Sequence, residues 1–250
     1  MRFSFLRFIW GVPGLALVWF FWWLITHSLS GIASLFTPAA AFASLWEMLW
    51  HGNLPEHGFV SLQRVAIGLS LALAIGVPIG LLIGCFSALE RLSMPVMQLL
   101  RMISPLSLMP VAVMALGVGD RPIWFLLTFA AVWPLIINTA SGVKHLHPGW
   151  LTLARSLSAT PLEILLHIIL PGVLSHMLTG VRLAIGILWI VLVPCEMLGV
   201  TSGLGYAILD ARDRLAYSEL MAVIIVIGVI GFVMDGLARL LIRRSALNRA

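Results

Sequence analysis

Long apolar runs separated by short polar islands dominate this chain. Six runs reach the ~20 residues that a helix needs to cross about 30 Å of hydrocarbon, at about residues 8–26, 61–86, 94–118, 123–141, 173–198 and 220–242. Within hydrocarbon every backbone polar group must be bonded inside its own segment, so the runs predict helices. The strict alternation of apolar and polar residues that barrel strands need is nearly absent. The third run carries Ser104-Pro105 and Pro110, which interrupt a helical ladder. The pattern predicts an all-α integral membrane protein: residues 1–250 form one domain, a six-helix transmembrane bundle with a cytoplasmic helical hairpin.

Two shorter segments follow a different pattern. At 38–50, Thr37-Pro38 reads as an N-cap followed by proline at the first helical position. Phe42, Leu45, Trp46, Leu49 and Trp50 then recur at helical spacing. That predicts an amphipathic helix, either lying on the outer membrane surface or packed on the outer end of the bundle. At 151–171, Thr160-Pro161-Leu162-Glu163 reads as a capping box, so a helix restarts at Pro161 and a separate short helix precedes it. Ala154 and Ser158 are expected one turn apart on that first helix, as a small-residue face open to a partner. Leu170-Pro171 is expected to end the hairpin and Gly172 to redirect the chain into the fifth run. Ser202-Gly203-Leu204-Gly205 marks a tight turn before the last run.

Composition sharpens this picture. The chain is 61% hydrophobic and 10% charged, with a mean hydropathy of +1.07, whereas soluble domains are about 25% charged. The net charge of +5 comes from basic residues at the ends of the runs, which is a topology signal and not a nucleic-acid footprint. With the N-terminus inside, the cytoplasmic segments hold Arg2, Arg7, Arg91, Lys144, Arg155, Arg239, Arg243, Arg244 and Arg249. The opposite side holds Arg121, Arg212 and Arg214, and the first outer loop has no Lys or Arg. Both termini are therefore expected in the cytoplasm. Arg2 and Arg7 followed by an apolar run, with Ala41-Phe42-Ala43 beyond it, resemble a signal peptide, but the run is longer than a usual h-region and reads as an uncleaved span. Cys85 and Cys195 sit in apolar runs as small hydrophobes, and the histidines lack metal-ligand spacing.

Ionisable residues inside spans are costly and mark candidate function. Arg64 and Glu196 fall at matching depth near the outer side, so an ion pair between neighbouring helices is expected. Arg182 lies fourteen residues before Glu196, about 21 Å along a helix, and cannot reach it. Arg64 and Arg182 either help an anion along a route gated near Glu196 or satisfy neighbouring helices. Arg101 raises the same two options, and Asp235 can pair with Arg239 at i+4. The only lysine, Lys144, cannot complete a G-x-x-x-x-G-K-[ST] phosphate cradle. Ser202 and His176 are predicted on opposite membrane sides, which argues against an intramembrane hydrolase.

The 151–171 hairpin resembles the coupling loop of type I ABC importer permeases. That loop reads Glu-Ala-Ala, three residues, Gly, nine residues, Ile-x-Leu-Pro. Here Thr152, Leu153 and Ala154 take the triad, Ser158 the Gly, and Ile168, Leu170 and Pro171 the end. The spacing is intact, while the first Glu, one Ala and the Gly are replaced. The stretches ARSLSAT (154–160), LQRVAIG (62–68), TGVRLAIG (179–186) and EMLGVTSGLGYAILDA (196–211) are similar to permeases of the nitrate, sulfonate, taurine and bicarbonate class. The resemblance implies a bacterial inner-membrane permease for a small anion, working by alternating access and not itself an enzyme. It implies that Thr152, Ala154, Arg155, Ser158, Thr160, Glu163, Ile168, Leu170 and Pro171 couple to an ATPase; Arg64, Arg182 and Glu196 are the candidates for the pathway or gate because they are charges within spans. It implies no cofactor on this chain, with ATP and Mg on a pair of ATPase subunits. It also implies a second permease copy, a periplasmic or lipid-anchored binding protein, and surrounding lipid. An ion-coupled secondary transporter is the alternative; it would not need an ATPase at the hairpin.

Overall fold

The computed structural model describes residues 2–28 and 36–247. Eleven α-helices make up almost all of them: α1 (Arg2–Ser28), α2 (Pro38–Trp50), α3 (Leu54–Cys85), α4 (Ser87–Met102), α5 (Met109–Leu116), α6 (Asp120–Lys144), α7 (Pro148–Ser156), α8 (Pro161–Ile164), α9 (Leu170–Glu196), α10 (Leu204–Asp213) and α11 (Tyr217–Leu247). A 3-10 turn, Pro105–Leu108, precedes α5, and a π turn, Leu165–Ile169, joins α8 to α9.

Among the described residues the six-span count is not matched exactly. Four continuous helices among the described residues are long and apolar enough to cross a membrane: Leu54–Cys85, Asp120–Lys144, Pro161–Glu196 and Tyr217–Leu240. The third run becomes two pieces, Ser87–Met102 and Pro105–Leu116, bent by 82°. The cause is local. Pro105 has no N–H, and a residue before proline avoids the helical region; Ser104 (φ −67°, ψ 125°) and Ile103 (φ −71°, ψ 123°) are both extended. Helix α1 covers the whole of the first run, and Ala16–Ser28 is its described apolar part.

Helix α6 is the centre of the bundle, with α3 and α9 on either side. The α3 contact is a row of small residues every fourth position: Gly68, Ala72, Gly76, Gly80 and Gly84. A Cβ at Gly80 would lie 2.7 Å from Thr139 Cβ and 2.8 Å from the Ile136 carbonyl, and one at Gly84 would lie 2.7 Å from Val143 Cβ. Lipid is as apolar as leucine, so membrane helices associate by close van der Waals fit, and small residues permit it. On the other side Gly142 faces Val173 and His176, and Gly180 faces the Pro134 carbonyl. Leu126, Leu127, Leu135, Leu188 and Leu192 fill the buried centre.

The amphipathic α2 occupies the expected 38–50 segment, and Thr37 Oγ1 accepts from the Ala40 N–H at 3.4 Å. It packs against α11 through its buried side, while Trp46 and Trp50 project outward with ring centroids 5.6 Å apart.

Candidate functional site

Two regions stand out, at opposite ends of the longest continuous helix. The first is the hairpin. Helix α7 begins at Pro148, where His147 Nδ1 accepts the Gly149 N–H at 3.2 Å. It ends at Ser156, and the chain reverses through Ser158 at φ +57°. The Ala159 N–H reaches the Ala154 carbonyl at 3.0 Å and the Ser158 N–H reaches the Arg155 carbonyl at 3.0 Å. These are the two bonds of a Schellman ending, whose left-handed residue is usually glycine. Ser158 is thus not one turn above Ala154 on a helix, as its spacing suggested; it lies past the helix end. The physical reason for a glycine in the family pattern at this place is the positive φ.

The next helix starts as expected. Glu163 N–H donates to Thr160 Oγ1 at 3.3 Å, and the Thr160 N–H donates to Glu163 Oε2 at 2.7 Å. The Thr160 backbone bond, then its hydroxyl, hold the Glu163 carboxyl below the usual glutamate range. The chain is not redirected at Gly172. Residues Pro161–Glu196 run as one helix. Pro171 would deprive the His167 carbonyl of a donor and crowd it; His167 lies inside the wider π turn, which relieves that position.

Between α7 and the following helix lies an open groove of about 950 Å³. Ala154 forms its floor and is only 6% exposed, so it is not the accessible docking face that its small size suggested. Ser158, Glu163, Ile168 and Pro171 also line the groove; Thr152, Arg155, Thr160 and Leu170 do not. The rim is apolar: Leu157 is 74% exposed and Leu153 60%, with Trp150 beside them. Beneath it, Val143, Leu146, Ile169 and Val173 form a buried cluster, with Leu151 and Ile164 against it, that fastens the hairpin to α6 and α9.

The second region lies where α3, α6, α9 and α10 meet. Arg64 is 3% exposed and Glu196 is 0% exposed. Their Nη1–Oε1 distance is 2.7 Å, so the expected ion pair forms. Arg64 also donates from Nε to Asp120 Oδ1 at 2.8 Å, from Nη1 to the Ser202 carbonyl at 2.7 Å and from Nη2 to Ser202 Oγ at 3.2 Å. Nη2 lies 2.7 Å from Asp120 Oδ1 as well. All five guanidinium N–H groups are therefore committed. Glu196 in turn accepts from the Ser61 hydroxyl at 2.8 Å and the Gly205 N–H at 2.9 Å. The Leu204 N–H donates to Ser61 Oγ at 2.8 Å, and the Gly203 N–H to His57 Nδ1 at 3.1 Å. The free N–H groups at the start of α10 thus find acceptors on other helices, and Glu196 places negative charge at the positive end of α10. Gly203, at φ +111°, has no room for a side chain: a Cβ would lie 2.5 Å from Arg64 Nη1 and from Glu196 Oε1.

This geometry now meets the comparisons. The family model described as "Binding-protein-dependent transport system inner membrane component" matches residues 76–246. The chain belongs to that family. The permease is 33% identical to the bicarbonate transport system permease protein CmpB of Synechococcus elongatus, over 90% of its own length and 84% of that protein. It is 31% identical to the nitrate import permease protein NrtB of Leptolyngbya laminosa (80% and 75% covered) and 32% identical to the putative aliphatic sulfonates transport permease protein SsuC of Bacillus subtilis (83% and 75%). In fold it matches the MetNI methionine ABC transporter, with a TM-score of 0.66 at 16% identity over 79% of this chain and 97% of that one. It is a multi-pass membrane permease of the ABC importer type.

Elsewhere in the permease, Arg182 Nε donates to Asp235 Oδ1 of α11 at 2.9 Å, and Asp235 also receives Arg239 at 2.7 Å. The Asp235–Arg239 pair was legible at i+4; the link to Arg182 was not. Asp120, Ser61, His57, Ser202, Gly203 and Gly205 were also missed as partners of the Arg64–Glu196 pair. A signal existed for two of them: His57 and Ser61 fall seven and three residues before Arg64, a polar stripe at i, i+4 and i+7 on an otherwise apolar helix.

Proposed function

We propose that the permease carries a small oxyanion, of the bicarbonate, nitrate or sulfonate kind, across the inner membrane, driven by a separate ATPase pair that seats in the hairpin groove. The relatives' names support the substrate class. The observation that carries the coupling is the exposed apolar rim of Leu153, Leu157 and Trp150 on a frame capped at both helix ends and anchored in the core. Exposed apolar surface of that kind marks a contact with another chain. ATP and Mg belong to the ATPase, because the single lysine cannot complete a phosphate cradle, and this subunit is non-catalytic. A two-fold pair of identical permeases encloses the pathway. The termini and hairpin face the cytoplasm, a reading supported by the distribution of basic residues. A binding protein delivers the anion at the other side.

The Pro161–Glu196 helix joins the two regions. At 1.5 Å per residue it is about 54 Å long, so movement of the groove is felt at the Arg64–Glu196 junction. Arg64 has no donor left for an anion, which favours a latch at the outer gate over an escort, and Arg182 is likewise held by Asp235. The test is co-purification. Leu157→Glu leaves the fold intact, since the side chain is 74% exposed, and is expected to lose the ATPase subunit from the detergent-purified complex. Retention of the ATPase at wild-type stoichiometry would remove the groove as the contact.

A further inference from the structure

Between the two regions a cavity of about 370 Å³ opens where α4 breaks off beside α6 and α9. This is within the range of small-molecule sites, about 300–1,000 Å³. Arg101, in the last turn of α4, lines it together with Pro105 of the break, Phe129, Trp133 and Asn138 of α6, and Ile187 of α9. The α6 residues lie 9 to 18 positions beyond Asp120, or about 14–27 Å from the Arg64 junction along the helix. The cavity is therefore at intermediate depth.

Its chemistry is one-sided. No Asp or Glu lines it. Arg101 takes part in none of the ion pairs of the described residues, unlike Arg64 and Arg182, which are each held by a carboxylate. The Trp133 Nε1–H is buried and has no acceptor. Asn138 gives one amide N–H to the Pro134 carbonyl at 2.8 Å and keeps the other. An exposed guanidinium with no carboxylate partner, at the mouth of an otherwise apolar cavity, is suited to an oxygen-rich anion. A broken helix beside the cavity frees backbone where a transported solute has to pass.

We propose that this cavity is the oxyanion subsite of the transport path and that Arg101 is its substrate-contacting cation. The proposal rests on the reading that the permease carries an oxyanion. It adds the place and the residue: the Arg101 guanidinium grips the oxygens while Phe129 and Ile187 keep the remaining wall apolar.

The test uses the full complex of permease, ATPase and binding protein in proteoliposomes, with labelled taurine, nitrate and bicarbonate as separate probes. Arg101→Gln is expected to lower uptake of the transported probe about tenfold or more while ATPase assembly is kept, and Arg101→Lys to restore most of it. Arg101→His adds a readout that a packing role does not move. With nitrate or taurine, its uptake relative to wild type is expected to be high near pH 5.5 and lost near pH 8, following the imidazole charge with its ordinary pKa of about 6.5. This comparison is made within one protein preparation, so it holds even if Arg101→Gln assembles poorly. Wild-type uptake in assembled Arg101→Gln, or a flat pH profile in Arg101→His, overturns the subsite and leaves the oxyanion reading standing. A wild-type complex that moves only a solute without a carbonate, carboxylate, nitrate or sulfonate group overturns both.

Discussion

The two ends of the Pro161–Glu196 helix solve opposite problems. At the Glu196 end, charges are taken out of solvent and every guanidinium N–H finds an oxygen within the same chain. At the Pro161 end, the backbone is satisfied by caps while leucines and a tryptophan are left exposed. A buried charge without a partner is far more costly than an exposed apolar side chain, so the charged end must close within the subunit. The apolar end can wait for a partner from outside. Under the proposed coupling, self-sufficiency at one end and incompleteness at the other suit a lever between a gate and a motor.

The contrast can be broken most sharply at the junction. Glu196→Ala strips a buried arginine of its fully buried carboxylate partner and is expected to destabilise the purified permease by about 3–5 kcal/mol, read from thermal unfolding in detergent. Arg64→Ala combined with it is expected to cost clearly less than the sum of the two single changes. A Glu196→Ala protein that melts with the wild type would show that the junction does not hold the bundle. Gly203→Ala comes next, at about 1–3 kcal/mol, because its Cβ meets Arg64 and Glu196 and its φ is positive. At the hairpin the sign reverses. Ser158→Gly is expected to stabilise it by about 1 kcal/mol by releasing a left-handed serine, measured as slower limited proteolysis of the 157–160 turn.

The smallest effect is the pH response of the capping box. Folding holds the Glu163 carboxyl below its ordinary value. The box therefore contributes fully above the ordinary glutamate pKa and fades as the pH falls through the lowered folded value. Hydrogen-exchange protection of the Thr160 and Glu163 amides, corrected for intrinsic rate, is expected to drop on acidification in the wild type. In Glu163→Gln it should stay level; an identical acid loss there would remove the carboxylate from the explanation.

Much of this was legible in advance, for identifiable reasons. The straight spans follow from apolar length, and α2 from a cap, a proline and helical spacing. The Thr160–Glu163 box needs residues only three apart. The Arg64–Glu196 pair could be read because depth in a membrane acts as a coordinate shared by separate helices. The same reasoning applied to Arg182 and Asp235 would have joined them. The row from Gly68 to Gly84 carried its own signal, small residues at every fourth position. Other features had no local signature. Pro171 reads as a stop, yet the helix passes through it because a π turn lies beneath. Ala154 reads as an accessible small residue, yet α7 folds back and makes it the floor of a groove.

Properties that depend on near neighbours in the chain were enough to establish an all-helical membrane protein, its capped hairpin and its family. Long-range packing alone assigned Asp120, Ser61 and the start of α10 to the Arg64–Glu196 pair, and left Arg101 without a carboxylate beside a cavity. The reason is physical: helix formation and capping are settled within a few residues, whereas the partner of a charge in a low-dielectric interior depends on which helices lie side by side and at what height.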